Sequence, residues 1–196
     1  MPVVISYMDK YPGVQVELVL GDRNLDLIEE GLDLAVRVGQ LPDASLVARQ
    51  VGEVQRMLVA SPDYLARRGA PQTPYDLPLH DTIHSTSRLT SPEWRFRHAG
   101  RDHVVRIAPR LMVDDVDSML YAVRAGRGLG HPLSYQVAQD LANGSMVRLL
   151  PDWECAPRPV HLVVSSARYM APKLRAFMDH AAEALGKLDV LQRWQK

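Results

Sequence analysis

The stretch "NLDLIEEGLDLAVRVG", residues Asn24–Gly39, changes its hydrophobic period halfway along, and this change decides the fold class. Its first half, "NLDLIEEG", predicts a short helix that Asp22 or Asn24 caps and Gly31 closes. Its second half alternates apolar and polar residues, which predicts a strand. The apolar face of that strand carries Leu34, Val36 and Val38. A helix followed at once by a strand is the repeating unit of an α/β protein.

The neighbouring segments continue this alternation. Residues 2–13, "PVVISYMDKYPG", predict a helix, and residues 14–20, "VQVELVL", predict a strand. Residues 46–61 predict a long strand with a kink at Gly52, and a helix beginning at Pro172 carries apolar residues at i, i+3 and i+4 spacing. The chain is therefore predicted to form an α/β sheet with short crossovers.

Composition excludes several classes of protein. The 196 residues are 46% hydrophobic and carry 23 basic and 23 acidic side chains without a basic run, so this segment alone is not expected to bind nucleic acid. The one cysteine, Cys155, allows no intrachain disulfide, which is typical of a reducing compartment. Apolar runs are too short for a membrane span and the N-terminus lacks the pattern of a signal peptide. A cytoplasmic protein without membrane contact is predicted.

The glycine run in "YAVRAGRGLGHP", residues Tyr121–Pro132, resembles a phosphate-binding loop at first sight. Such a loop follows a strand and opens a helix, whereas here an amphipathic helix comes before the glycines. The G-x-G-x-G spacing also differs from the dinucleotide and P-loop patterns. Gly126 is therefore predicted to end the helix in the left-handed conformation.

The sequence contains no other pattern of a catalytic or metal site. There is no G-x-S-x-G elbow, Cys155 has no neighbouring base, and the seven histidines lack metal-ligand spacing. We therefore predict no catalytic residue, no metal and no cofactor. Polar residues do cluster near predicted strand ends: Arg37, the run "HSTSR" at residues 84–88, Asp115 and His131. Since ligands bind at the ends of strands in α/β sheets, these polar residues predict a small-molecule cleft between two lobes.

Five stretches taken in order resemble one family. They are "YPGVQVEL", "NLDLIEEGLDLAVRVGQLPDASLVAR", "RMLVASPDYLARRGAPQTPYDL", "AGRGLG" and "LSYQVAQDLANGSMVRLLPDW". Together they resemble the effector-binding domain of LysR-type transcriptional regulators, over residues 2 to about 185. No single motif decides this, but their order and spacing are specific to the family.

The resemblance implies a type II periplasmic-binding-protein-like fold, with two α/β subdomains joined by two crossovers and a ligand cleft between them. Subdomain I is expected at residues 1–82 and 167–196, and subdomain II at residues 83–166. Family members bind a small, often anionic effector and their regulatory domains pair as antiparallel homodimers, within a tetramer in the full-length regulator. The implied role is ligand sensing and not catalysis.

The resemblance also implies which residues line the effector site. They are Gly21, Asp22, Arg37, Val38, Gly39, His84, Ser85, Thr86, Ser87, Asp115, Gly130 and His131. Backbone amides at the start of the helix that Asp115 opens are expected to receive an anion.

The sequence also departs from the family pattern. The winged helix-turn-helix and the first strand of the regulatory domain are expected to be missing, and Gly21 stands where the family usually has a hydroxyl contact to the effector.

Two alternatives remain open from the sequence. A solute-binding protein of an uptake system shares the implied fold, and a small α/β enzyme would use the same cleft. The missing signal peptide disfavours the first, and the missing acid/base pair, nucleophile and cofactor fingerprint disfavour the second.

Overall fold

The computed structural model describes residues 1–21, 26–41, 46–87, 91–165 and 170–192. The chain divides into two compact units. Unit one contains Met1–Leu20, the segment that ends at Val54 and the chain from Arg158 onward, and unit two contains Gln55–Pro157. The chain therefore passes from one unit to the other at residues 54/55 and returns at 157/158.

The described residues form six α-helices and nine strands. The α-helices are α1 (Pro2–Lys10), α2 (Pro62–Arg68), α3 (Val116–Arg124), α4 (Ala138–Ala142), α5 (Pro172–Gly186) and α6 (Asp189–Gln192). The strands are β1 (Ala35–Val38), β2 (Val47–Val54), β3 (Leu58–Ala60), β4 (Ile83–Ser85), β5 (Glu93–His98), β6 (Arg101–Arg106), β7 (Leu111–Val113), β8 (Val147–Leu149) and β9 (Arg158–Val164). Short 3₁₀ helices span Pro74–Leu79, Ser134–Gln136 and Pro151–Trp153.

Unit one is built on a three-stranded antiparallel sheet in the order β1-β9-β2. The central strand β9 buries Leu162 and Val163 almost completely. In the same unit α1 packs on α5 through Tyr7, which is 2% exposed. The Tyr7 hydroxyl donates a hydrogen bond to the carbonyl of Lys173 at 2.8 Å, and its ring meets Phe177 edge-on with centroids 4.9 Å apart. The predicted first and last helices are thus confirmed.

The predicted helix at residues 24–31 is wrong in extent. Residues 27–31 form a single hydrogen-bonded turn, and the Asp26 carboxylate accepts hydrogen bonds from the Ile28 and Glu29 amides at 2.8 and 3.0 Å. Gly31 ends the turn at φ +63°, as predicted for a glycine stop. The expected caps, Asp22 and Asn24, lie outside the described residues. An Asp side chain that satisfies adjacent amides favours a turn over a longer helix.

The predicted strand at residues 14–20 is not formed. No described strand pairs with this segment, and Leu18, Val19 and Leu20 are 45%, 50% and 79% exposed. Alternating hydrophobicity is not sufficient, because a strand also needs a neighbour for its backbone N–H and C=O groups. The strand predicted next is confirmed as β1, although Val36, expected on its apolar face, is 57% exposed.

The predicted kink at Gly52 is confirmed. The register of β2 against β9 shifts between Gln50 and Gly52, and the long predicted strand ends at Val54 before β3 begins. A Cβ on Gly52 would lie 2.7 Å from the Leu191 side chain of α6. The absence of a side chain at this position lets α6 approach the strand.

Unit two contains the largest cluster of buried side chains. β3 pairs antiparallel with β8, and β4 pairs parallel with β7. Single bridges from Val59 to Gly130 and from Thr82 to Leu129 place the chain after α3 between β3 and β4. The β5–β6 hairpin turns at Gly100 and contributes to the core. That core contains Leu58, Ala60, Tyr64, Leu77, Trp94, Phe96, Val105, Ile107, Leu129, Leu149 and Leu150.

The division into units differs from the predicted subdomain boundaries at 82/83 and 166/167. Residues 55–82 belong with unit two because β3 pairs with β8 there and because Tyr64 and Leu77 enter its core. Residues 158–164 belong with unit one because β9 is the centre of its sheet. Strand pairing therefore sets the boundaries between the two units.

Candidate functional site

The glycine run after α3 connects a helix to a sheet. Asp115 caps the start of α3, where its carboxylate accepts a hydrogen bond from the Ser118 amide at 2.8 Å. Gly126 ends the helix at φ +68°, which confirms the predicted stop. Gly130 then exchanges two backbone hydrogen bonds of 2.9 Å with Val59. Gly126 and Gly130 therefore allow particular backbone conformations and contacts. They follow a helix, whereas the glycines of a phosphate loop precede one.

Gly130 has a second steric reason to be glycine. A Cβ at this position would lie 2.7 Å from Cγ2 of Val123, on the buried face of α3. The helix therefore lies close against the strand-like segment that follows it. This approach brings residues 131–136 toward the end of β4.

A small cavity of about 40 Å³ lies at this place in unit two. Four residues predicted from the sequence line it: His84, Ser85, Ser87 and His131. The other lining residues are Arg56, Ile83, Trp94, Val116, Met119, Pro132, Leu133, Tyr135 and Gln136. The volume is large enough for one or two water molecules but not for a metabolite, so ligand entry requires side chains to move.

Two buried histidines form the inner wall of this cavity. His84 is 2% exposed, and its Nδ1 accepts a hydrogen bond from Nε1 of Trp94 at 3.3 Å. His131 is 6% exposed and stacks on Phe96 with ring centroids 5.2 Å apart. Burial, followed by the charge of Arg56 and by His84, holds the pKa of His131 well below its usual value of 6.5. His131 is therefore neutral at pH 7.

The outer wall carries hydroxyl and amide groups. Ser85 and Ser87 place their Oγ atoms 2.8 Å apart, and both residues are half-buried. The Gln136 side chain accepts a hydrogen bond from the Leu133 amide at 2.8 Å, which fixes its orientation. Together with Tyr135, these groups give the cavity several hydrogen-bond donors.

Arg56 supplies the positive charge of the cavity. Its Nη1 donates a hydrogen bond to the His131 carbonyl at 2.6 Å, which fixes the guanidinium beside the two histidines. None of the described residues that line the cavity is acidic. A cationic group with hydroxyl donors around it, and no carboxylate among those lining residues, suits an anion.

Three predicted residues of unit two have structural roles outside the cavity lining. The Thr86 hydroxyl donates to the Val113 carbonyl at 3.2 Å and joins β4 to β7. Asp115 caps α3, and Gly130 pairs with Val59. These residues position the cavity walls.

The remaining predicted residues lie elsewhere. Arg37 and Val38 end β1 in unit one, where Arg37 stands opposite His161 of β9. Gly39 follows and donates its amide to the Pro159 carbonyl at 2.8 Å. Gly21 is exposed, and Asp22 lies outside the described residues.

Sequence reasoning missed Arg56, Trp94, Met119, Tyr135 and Gln136. Trp94 belongs to the β5–β6 hairpin, and Arg56 lies in the short link between β2 and β3. Only Tyr135 and Gln136 carry a usable signal, since they are polar residues a few positions beyond the glycine run that predicted His131.

A family model described as the LysR substrate binding domain matches residues 1–186. The chain belongs to this family. A probable HTH-type transcriptional regulator of Klebsiella pneumoniae, LtrA, is 30% identical over 96% of this LysR substrate-binding domain and 62% of the relative. The HTH-type regulator PtxR of Pseudomonas aeruginosa is 33% identical over 94% of the chain and 59% of the relative. The chain thus spans about three fifths of the length of these relatives, which are named regulators and not enzymes.

Solved structures of the family confirm the predicted type II periplasmic-binding-protein-like fold. CrgA, a LysR-type regulator from Neisseria meningitidis, superposes with a TM-score of 0.83 at 28% identity, over 95% of this chain and 63% of that one. The full-length Vibrio cholerae virulence activator AphB superposes with a TM-score of 0.82 at 28% identity, over 93% of this chain and 62% of that one.

The described ranges hold neither a membrane-spanning helix nor a cluster of metal ligands. No helix there is both long and apolar enough to cross a membrane. No group of three or more His, Cys, Asp or Glu side chains stands close enough to hold a metal ion in that part of the chain.

Proposed function

We propose that this chain is the ligand-sensing regulatory domain of a cytoplasmic LysR-type transcriptional regulator, and that a small anionic effector binds at the cavity beside Ser85, Ser87 and His131. The observation that carries the proposal is the cavity itself. It joins residues predicted from the family resemblance to Arg56, the one charged residue among the described residues that line it. The cleft predicted between the subdomains, with Arg37 as a further contact, stays a prediction.

Charge and hydrogen bonding favour a carboxylate as the effector group. Arg56 is already oriented by the His131 carbonyl, so this side chain needs little reorganisation to meet an anion, although other side chains of the small cavity must move. The Ser85 and Ser87 hydroxyls are 2.8 Å apart and can turn toward a shared oxygen acceptor. Trp94 supplies an aromatic wall for an apolar part of the ligand.

A thermal-shift screen of small carboxylates tests this proposal. A ligand at a hundred times its Kd stabilises the native state by about 2.7 kcal/mol. Ser85→Ala and Ser87→Ala each remove one hydrogen bond and should weaken binding by roughly two- to tenfold. Arg56→Gln removes the charge and should weaken binding by at least about tenfold. Arg37→Ala tests the contact predicted in unit one.

Ser91→Ala is the matched control for the serine variants. Ser91 is exposed in the same unit and does not line the cavity, so its replacement should leave ligand stabilisation unchanged. If Ser85→Ala, Ser87→Ala and Arg56→Gln all bind as tightly as the parent chain, the effector site lies elsewhere and the proposal fails.

We also propose that the domain forms a homodimer, as part of a tetramer in the full-length regulator. Apolar side chains of β7 and α3 support this, since Leu111, Met112 and Tyr121 are 41%, 51% and 74% exposed within one unit. Large apolar side chains that stay exposed in a single chain are candidates for an association surface.

Sedimentation velocity measures this association directly. Met112→Asp and Tyr121→Arg should raise the dimer dissociation constant at least about tenfold, since each buries a charge in an apolar contact. Val104→Asp is the control, because Val104 is 50% exposed on the β5–β6 hairpin. An unchanged sedimentation coefficient in both β7 and α3 variants would contradict the proposed surface.

A further inference from the structure

A second cavity, of about 390 Å³, opens on unit two and is lined by four arginines. The four are Arg67, Arg68, Arg110 and Arg127, and the other lining residues are Tyr64, Asp81, Leu111 and Gly126. The set has four guanidinium groups and a single carboxylate, in a chain whose formal net charge is zero. The volume lies within the range of small-molecule sites.

Separate elements bring these arginines together. Arg67 and Arg68 form the last turn of α2, Arg110 precedes β7, and Arg127 follows the end of α3. Arg67 is held in place because its Nη2 donates a hydrogen bond to the Gly126 carbonyl at 2.8 Å. The positive charge is therefore concentrated by the fold of unit two and is not a run along the sequence.

The one carboxylate compensates for only part of this charge. Asp81 accepts from Arg110 at 3.4 Å, a long contact for an ion pair, and the Arg110 side chain remains 75% exposed. Among the described residues, no carboxylate lies within ion-pair distance of Arg67, Arg68 or Arg127. The positive charge also affects nearby His80, whose pKa is lowered first by burial and second by the charge of Arg68.

We propose that this arginine pocket binds a small, multiply charged oxyanion, of the class of phosphate esters and di- or tricarboxylates. Guanidinium groups pair with both kinds of oxyanion through two parallel hydrogen bonds. Arg110 and Arg127 supply exposed donors at the mouth, while Arg67 carries a guanidinium whose position is fixed. The Tyr64 side chain forms an apolar floor, and its hydroxyl is already engaged by the Asp81 amide at 2.9 Å. The site is distinct from the cavity beside His131 and does not depend on the proposed effector.

Isothermal titration with inorganic pyrophosphate and with citrate tests the proposal. The titrations are made on the whole chain at low ionic strength, with sodium chloride at matched ionic strength as the blank, because salt screens exposed charges. The expected result is saturable binding of pyrophosphate, citrate or both, with an affinity that falls as sodium chloride is added. The tighter of the two probes identifies phosphate or carboxylate as the preferred group.

Arg127→Ala and Arg68→Ala are the informative variants. Arg127 makes no side-chain hydrogen bond among the described residues, so its replacement should not disturb folding. Each should weaken binding about tenfold, and the double variant should abolish it. Arg101→Ala removes the same charge from the exposed β5–β6 hairpin of unit two and should leave binding unchanged.

Three results would overturn the proposal. The first is no binding beyond the sodium chloride blank. The second is an equal loss of affinity in Arg101→Ala, which would mean attraction by net charge alone. The third is that no anion binds and that Arg127→Ala dissociates the protein into monomers. The arginines would then form ion pairs with acidic residues of a second copy of the chain. Sedimentation velocity of each variant distinguishes the third result from the first.

Discussion

His131 should make the stability of the domain depend on pH below about pH 6.5. Its ring is stacked on Phe96 and 6% exposed, and burial holds its pKa well below 6.5. In the unfolded chain the same histidine titrates near 6.5. Below that pH the unfolded state binds a proton that the native state does not bind. Stability is therefore complete above about pH 6.5 and falls as the pH is lowered toward the native pKa.

The magnitude follows from the linkage relation. The slope of the unfolding free energy approaches about 1.4 kcal/mol per pH unit while the native imidazole stays neutral. One unit below the unfolded pKa, at about pH 5.5, the loss is roughly 1.4 kcal/mol. For a domain with a few kcal/mol of net stability, this is a large fraction.

Urea denaturation at several pH values between 7.5 and 5.5 measures this slope. The parent chain is compared with His131→Asn, which cannot take up a proton, and with His98→Asn, an exposed histidine on the hairpin. Groups common to all three proteins, such as His80 and Glu154, cancel in the difference. We expect the unfolding free energy of His131→Asn to depend less steeply on pH, by up to about 1.4 kcal/mol per pH unit, even if this variant is less stable overall.

The reasoning is refuted if His131→Asn shows the same pH slope as the parent chain. It is also refuted if His98→Asn flattens the slope as much, since the effect would then come from net charge and not from burial. The slope is informative even when the variant loses packing, because a packing loss lowers the unfolding free energy by the same amount at every pH.

Three further changes test the packing and capping around the site. Gly130→Ala should cost about 1–3 kcal/mol in urea denaturation, because its Cβ would meet Val123 at 2.7 Å. Asp140→Ala should cost about 1–2 kcal/mol, because Arg124, which is 44% exposed, loses a bidentate partner at 2.7 and 2.8 Å. Asp115→Ala should lower the melting temperature through loss of the α3 cap, whereas Asp115→Asn should retain most of it.

Local rules predicted the features of the fold that depend on a few neighbouring residues. Gly31, Gly100 and Gly126 all adopt positive φ where the sequence places a turn or a helix end. The segment at residues 14–20 shows the opposite case, since its alternation is typical of a strand but no described segment pairs with it. Pairing depends on residues far away along the chain, which single-sequence periodicity does not report.

The same distinction explains the candidate site. His84, Ser85 and Ser87 lie at a strand end and His131 follows a glycine run, so position along the chain is enough to select them. Trp94 enters the cavity only because the hairpin folds back on β4, as its hydrogen bond to His84 shows. Arrangements of this kind depend on tertiary packing, and nothing in the local sequence marks them.

The glycine run at residues 126–130 connects residues that line the two cavities. Arg127 lines the arginine pocket and His131 lines the other cavity, yet only three residues separate them. Between them Gly128 lies so close to the Asp81 carbonyl that a Cβ would approach it to 2.5 Å, and Gly130 lies equally close to Val123. Neither glycine can be replaced without displacing its neighbours, so the backbone between the cavities is closely held on both sides. A phosphate loop would use such glycines to contact a ligand, whereas here they allow the chain itself to pack. Ligand contacts at both cavities must therefore come from the flanking side chains.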